Sequence, residues 1–375
     1  MKFINSIVAT SETNFSLARN PLKSQREQPA NLTNTLLPKS QVKQKTDLFK
    51  RLLDWSRESM VGNVALSFFG LAGLFVDAVA KSLGLAPPLI EELMNRRLFQ
   101  PELEVKIPQK KAELVTIPSK DGHPELHGYF FLKKNSELGV IYLHGYNGSM
   151  FNCHPEAFKI SEELNVNVAL FDYRGFGINQ GKPTIDGVVK DVERMYNYMV
   201  NKRSILPKNI IIYTSSLGGA IALETYVTKL KPKGKKIGAM VLLYPFSSVR
   251  DIAKIAERLE REGMQSKQEK QMKPSVIPPF MIPNKRLNSK KLIRELDVPL
   301  HIAHGMDDKR TPFEHSKAIF DNARSLREDQ KELYPISELG HDDLTDEKIA
   351  SLPSVQGYFK SLREFFMRHF PEHKL

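Results

Sequence analysis

The sequence predicts an α/β chain in which a mostly parallel central sheet is covered by helices on both faces. Three observations carry this. From residue 139 to residue 336, short apolar runs of strand length alternate with helix-period segments, the pattern of parallel strands joined by crossover helices. A hairpin pattern precedes the alternation. The strand exits run into polar turns containing glycine, which is where open α/β sheets present their ligand-binding side chains.

Residues 1–45 are rich in Ser, Asn, Gln, Thr and Lys and are expected to be a disordered N-terminal segment. Met1 to Val8 meets polar residues before an apolar core can build, so no cleavable signal peptide is expected. Residues 46–95 are expected to form a helical extension. Within it, Leu48, Leu52 and Trp55 share one face of a basic helix, and the uncharged stretch Ser59 to Val76 is just long enough to cross a bilayer. Asn63, Ser67, Gly70, Asp77 and Lys81 form a weakly polar stripe that suits a helix packed on a protein body equally well, so both readings stand.

A single catalytic domain is expected over residues 96–375. Glu113 to Pro118 and Leu126 to Phe131 flank a Lys120-Asp121-Gly122 turn and read as a hairpin. Gly139 to Leu143 and Val166 to Phe171 are short apolar strands separated by a helix near Glu156 to Leu164. A helix from Ile185 to Asn201, the strand beginning at Ile210, a helix after Ser216 and a strand over Ile237 to Leu243 come next. Leu300 to Ala303 and Leu333 to Ile336 supply the last strands. Residues 249–296 interrupt the alternation with a helix over Asp251 to Gly263, a charged stretch and a proline-rich apolar run, a cap-like insertion at the carboxyl edge of the sheet.

Composition excludes several function classes. The formal charge is +12, but the excess is scattered: the first sixty residues hold ten Lys/Arg against five Asp/Glu, and Arg250 to Glu295 holds twelve against six. No compact basic stripe with interleaved aromatics results, so nucleic acid is not an expected partner; the scattered charge reads as a solvated basic surface, with attraction to an anionic membrane as the alternative. The single cysteine, Cys153, excludes an intrachain disulfide framework and a cysteine-based zinc site. A reducing compartment is expected, cytoplasmic or at a membrane, with no cofactor and no metal. Oligomeric state is not legible.

The chemistry rests on three strand exits. Tyr213-Thr214-Ser215-Ser216-Leu217-Gly218-Gly219 joins an apolar strand to a helix, the setting of a nucleophile elbow with Ser216 as nucleophile. Gly305-Met306-Asp307-Asp308 and Gly340-His341-Asp342-Asp343 follow the last two strands and supply a carboxylate and an imidazole. The chain order serine, aspartate, histidine is the one this architecture requires, with His341 as general base. The loop His144-Gly145-Tyr146-Asn147-Gly148 would donate the Tyr146 amide to an oxyanion, and Leu217 would supply the second amide. His144 itself reads as a loop-orienting residue. Phe246, Phe280 and Met281 are apolar rim candidates, with Phe246 and Met281 taken as substrate-binding beside Tyr146, although such residues serve equally as plain core.

With Leu143 to Gly148, Asp172-Tyr173-Arg174-Gly175-Phe176-Gly177, Ser216 to Gly219, His304 to Asp308 and Gly340 to Leu344 in view, the chain resembles an α/β-hydrolase of the Bem46-like group, related to protein depalmitoylases. The resemblance covers roughly residues 98–366 and implies an α/β-hydrolase fold and a serine hydrolase acting on an ester or thioester of an acyl-containing or lipid-like substrate. In the family's H-G-x-x-D pattern the aspartate three positions after glycine is the triad acid, which selects Asp308 over Asp307. Thr214 departs from the pattern, standing where the elbow's first glycine belongs. A β-branched residue there crowds the turn, so an inactive or weakly active binding relative is the alternative from another class. A serine peptidase or amidase is a third reading.

Overall fold

The computed structural model describes residues 91, 94–96, 98–101, 112–261, 282–341, 344 and 347–373. The chain divides into two units, 1–73 and 74–375, and all of the described residues belong to the second. The segments expected over 1–45 and 46–95, apart from residues 91, 94 and 95, lie outside the described residues.

Eight strands form one sheet in the order β1-β2-β4-β3-β5-β6-β7-β8. They are β1 (Glu113–Ile117), β2 (Leu126–Phe131), β3 (Gly139–Leu143), β4 (Asn167–Phe171), β5 (Ile210–Ser215), β6 (Ala239–Leu243), β7 (Leu300–Gly305) and β8 (Lys331–Ile336). The β1–β2 hairpin turns through Asp121 and Gly122, both at positive φ, and β2 joins β4 antiparallel. From β4 through β3 to β8 every pairing is parallel. This is an α/β-hydrolase fold.

The connecting helices are α1 (His154–Leu164), α2 (Ile185–Asn201), α3 (Leu217–Thr225), α4 (Val249–Arg261), α5 (Glu314–Asn322) and α6 (Pro353–His369). The expected boundaries shift by a few residues. The strand expected from Ile237 begins at Ala239 because Gly238 is spent on a turn bond to Ile210. The last strand starts two residues early, at Lys331, paired to Leu300. The helix expected to start at Asp251 starts at Val249.

Strand periodicity divides the core in two. Along β5, Ile210 and Ile212 face one apolar cluster with residues of α2 and α3, while Ile211 and Tyr213 face another with residues of α1 and α6. A polar cluster crosses the second layer. Tyr142 on β3 and Tyr213 on β5 are register neighbours with stacked rings 5.4 Å apart. Both hydroxyls donate to Glu156 of α1, at 2.6 and 3.0 Å, and Tyr213 also meets Tyr358 of α6 at 3.0 Å. One buried carboxylate thereby fixes helices from both ends of the domain to the central strands.

That dependence is testable. Glu156→Leu removes a buried acceptor from Tyr142 and one of the two partners of the Tyr213 hydroxyl and should cost about 2 kcal/mol in chemical denaturation, while Glu156→Gln, which keeps one acceptor oxygen, should cost clearly less.

Candidate active site

Strand β5 ends at Ser215, and Ser216 turns at φ 52°, ψ −114° to become the residue before α3. A non-glycine residue at that φ is strained, and it is held there by its neighbours. The Ser216 N–H donates to Leu243 O at 2.8 Å and its carbonyl accepts from Gly219 N at 3.0 Å. The helix starts so close to β3 that a Cβ on Gly218 would lie 2.2 Å from the Leu143 carbonyl oxygen. Glycine at 218 is therefore dictated by backbone approach.

Thr214 does not crowd the turn as its branching suggests. Its hydroxyl donates to Val241 O on β6 at 3.1 Å, and the space beside it comes from Gly219, where a Cβ would stand 3.3 Å from Thr214 Oγ1. The room missing at the strand is supplied on the helix.

The β3 exit faces this turn. A Cβ on Gly145 would be 3.5 Å from Ser216 Cβ, so the loop carrying Tyr146 runs past the serine. Tyr146 is half-buried and its carbonyl accepts from Gln100 N at 2.9 Å; Leu217 is buried at the start of α3. Among the described residues neither amide N–H is bonded to another main-chain group.

His144 is fully buried and supports this loop from below. Its Nδ1 donates to Gly145 O at 2.9 Å, its ring packs on Tyr173 and Phe176, and Tyr173 donates to His144 O at 3.1 Å. Its Nε2 faces Asp172 Oδ1 at 3.6 Å, too far for a hydrogen bond. Burial lowers the His144 imidazole to about 4 and raises the Asp172 carboxyl to about 7, the latter opposed by a hydrogen bond from Met150 N.

On the other side, Asp308 leaves β7 and is 4 % exposed, whereas Asp307 is exposed. Asp308 Oδ1 accepts from the Arg310 and Thr311 amides, both at 2.9 Å. Oδ2 accepts from Thr311 Oγ1 at 2.6 Å and from His341 Nδ1 at 2.6 Å. Thr311 Oγ1 also lies 3.0 Å from His341 Nδ1, so two acceptors keep a proton on that nitrogen and leave Nε2 without one. Burial alone would raise the Asp308 carboxyl, but hydrogen bonds from His304, His341 and Thr311 hold it far below the usual carboxylate range. Tyr244 ties this pair to the serine turn: Leu243 holds the Ser216 amide, Tyr244 N donates to Ala303 O, and its ring lies 5.2 Å from the His341 ring.

Several known proteins are similar to this chain. The family described as serine aminopeptidase, S33, matches residues 135–292, a span that contains Ser216 and ends before Asp308. The lysophosphatidylserine lipase ABHD12 of Danio rerio is 28 % identical over 231 residues, covering 60 % of this chain and 59 % of its own. Protein bem46 of Schizosaccharomyces pombe is 27 % identical over 206 residues, covering 52 % of this chain and 66 % of its own. An esterase from Pyrococcus furiosus superposes with a TM-score of 0.56 at 18 % identity, covering 72 % of this chain and 98 % of that one. The chain is similar to Bem46-like α/β-hydrolases.

In this hydrolase the residues singled out from sequence separate into two sets. Ser216, Leu217, Tyr146, Asp308 and His341 all stand at the carboxyl ends of β3, β5, β7 and the turn after β8. Phe246 is 5 % exposed within the apolar core on the α2–α3 side of the sheet, while Phe280, Met281, Asp342 and Asp343 lie outside the described residues. Among the described residues no group of His, Cys, Asp and Glu is arranged to hold a metal ion.

Sequence reasoning missed Thr311 and Tyr244. Thr311 had a local signal, an aspartate three positions earlier able to accept from turn amides. Tyr244 had none, because its positive φ of 50° and its ring contact with His341 are tertiary facts.

The loop support should be visible in stability. Asp172 has a folded-state value of about 7 against an ordinary 3.8, so the folded chain holds a proton that the unfolded chain releases. Its contribution is fully present below pH 3.8 and is lost as pH rises toward 7. His144, lowered from 6.5 to about 4, has the opposite sign, losing stability as pH falls through that window. Asp172→Asn removes only the first effect, so the variant should gain melting temperature relative to wild type at about pH 8, with the gain shrinking at about pH 5.

Proposed function

We propose that this hydrolase cleaves an ester or thioester of an acyl-containing substrate through an acyl-enzyme on Ser216. One observation carries the reading: a buried carboxylate bonded to an imidazole, Asp308 to His341 at 2.6 Å, follows a strained serine turn in chain order at the exits of parallel strands of one sheet. In the first step Ser216 Oγ bonds to the acyl carbon while His341 Nε2 takes the hydroxyl proton. The proton then passes to the departing alcohol or thiol as its bond to the acyl carbon breaks. Water repeats the sequence to release the acid. Asp308 keeps the Nδ1 proton in place and stabilises the imidazolium. Tyr146 and Leu217 offer the amides that would face the developing oxyanion. Among the described residues Ser216 Oγ makes no hydrogen bond to His341, a contact that commonly tightens only with substrate bound.

The lipase name of the zebrafish relative favours a lipid-like acyl substrate, and the aminopeptidase description of the matching family favours amide cleavage as the second reading. Fluorophosphonate labelling followed by p-nitrophenyl esters of increasing chain length and aminoacyl p-nitroanilides separates them. Ser216→Ala should abolish labelling. Asp308→Asn should lower turnover by about four orders of magnitude while Asp307→Asn stays near wild type. Intact, folded protein that takes no label is a binding protein instead.

Membrane association through residues 46–80 belongs to the same proposal, because a basic amphipathic stretch and an apolar one reinforce each other. Among the described residues no helix is long and apolar enough to cross a membrane, and the candidate stretch lies outside them. Full-length protein should float with anionic liposomes. Flotation lost in high salt means surface attachment, flotation that survives alkaline carbonate means a spanning helix, and no flotation removes the idea.

A further inference from the structure

The acid of the site carries a second histidine. His304, the next-to-last residue of β7, is fully buried, and its Nε2 lies 3.2 Å from Asp308 Oδ2 and 2.5 Å from Thr311 O. Both of these atoms are acceptors, so Nε2 carries a proton. On the far side of the ring, Nδ1 meets Ser316 Oγ of α5 at 2.6 Å, with Ser316 also fully buried. The ring is therefore held at both nitrogens, and its donor points between the carboxylate and the turn that carries the carboxylate.

The same oxygen, Oδ2, thus receives His341 Nδ1, Thr311 Oγ1 and the His304 donor, while Oδ1 is occupied by two amides. Tyr244 lies against both imidazoles, 5.2 Å from His341 and 5.8 Å from His304, edge-on to the latter, and it holds a positive φ to do so. Phe313 closes the other side of His304 at 6.0 Å. None of these contacts is needed to build the sheet, and each restrains Asp308 or the ring that leans on it.

We propose that His304 is a positioning residue for the proton-transfer pair: it fixes the Asp308 carboxylate toward His341 and draws charge from Oδ2, which tempers the basicity of His341. The proposal rests on the hydrolytic reading for its kinetic consequence but not for its geometry. A donor removed from Oδ2 leaves more negative charge facing His341 Nδ1, which stabilises the imidazolium. The acid limb of kcat/KM, which reports loss of neutral His341, then moves to higher pH. The other titratable groups around this assembly are His315 and Glu314 of α5 and Asp251 of α4, which reaches His315 through the Ser247 hydroxyl. They remain in place in every variant compared.

Full-length wild type, His304→Leu, His304→Gln and Ser316→Ala are compared on the ester found best in the chain-length series. His304→Leu should lower kcat about tenfold to a hundredfold with KM nearly unchanged, because a displaced carboxylate misaligns the base. Its acid limb should move to higher pH by roughly half a unit or more. His304→Gln, which can place an amide N–H near the same oxygen, should recover most of kcat. Ser316→Ala frees the far nitrogen without deleting the ring and should move both quantities in the same direction, less far; it decides the matter if His304→Leu does not fold. The downfield proton resonance of His341 Nδ1 provides a readout that needs no turnover, and it should shift or broaden in His304→Leu and persist in His304→Gln. Unchanged kcat, acid limb and resonance in the folded variants would overturn the proposal, as would equal losses in Leu and Gln. If Ser216 takes no probe in wild type, the hydrolytic reading fails while the resonance still judges the role of His304.

Discussion

The start of α3 and the exit of β3 approach main chain to main chain, and Gly218 leaves no room for a side chain beneath the Leu143 carbonyl. Much else depends on that contact. A helix beginning this near the neighbouring strand demands a turn tighter than ordinary backbone allows, and Ser216 takes it up at positive φ. The same closeness brings the Gly145 loop alongside the serine, so that the segments carrying Tyr146 and Leu217 run side by side. Strain at a single residue persists because the strand pairing on both sides of β5 over-determines it.

A second close approach organises the acid and base. A Cβ on Gly305 would fall 2.2 Å from Leu339 O and 2.5 Å from Gly340 O, so the end of β7 and the turn after β8 touch main chain to main chain. His341 begins where that contact ends. The carboxylate it meets accepts from four donors, with His304 Nε2 3.2 Å away, and these contacts compensate the burial of a charge which would otherwise be expelled as a neutral acid.

Two buried carboxylates are handled differently. On the α1–α6 side, Glu156 is answered by tyrosine hydroxyls and braces the helices. Beneath the Gly145 loop, Asp172 Oδ2 and His144 Nε2 have no hydrogen-bond partner among the described residues, and a Cβ on Gly177 would come within 2.0 Å of that Asp172 oxygen.

The sequence by itself determined the element order, the parallel core and the chain order of Ser216, Asp308 and His341, because these are set by local quantities: apolar period, turn residues and spacing from each strand end. It singled out Asp308 over Asp307 only through a family pattern; the physical difference, one carboxylate buried among donors and the other in solvent, exists only once β7 and the Thr311 turn are folded. The crowding read from Thr214 was wrong for the same reason, since the compensating space belongs to Gly219 on the following helix and the hydroxyl's acceptor to β6. Tyr244 could not be assigned from sequence, because its role consists of contacts between segments far apart in the chain, whereas Thr311 and His304 lie within four residues of Asp308 and only their alignment on its carboxylate is a tertiary fact. Identity and period along the chain decide which residues reach the carboxyl edge of the sheet. Only the tertiary structure decides which of them share a proton, because hydrogen bonds at 2.6 Å depend on where separate strand exits come to rest against one another.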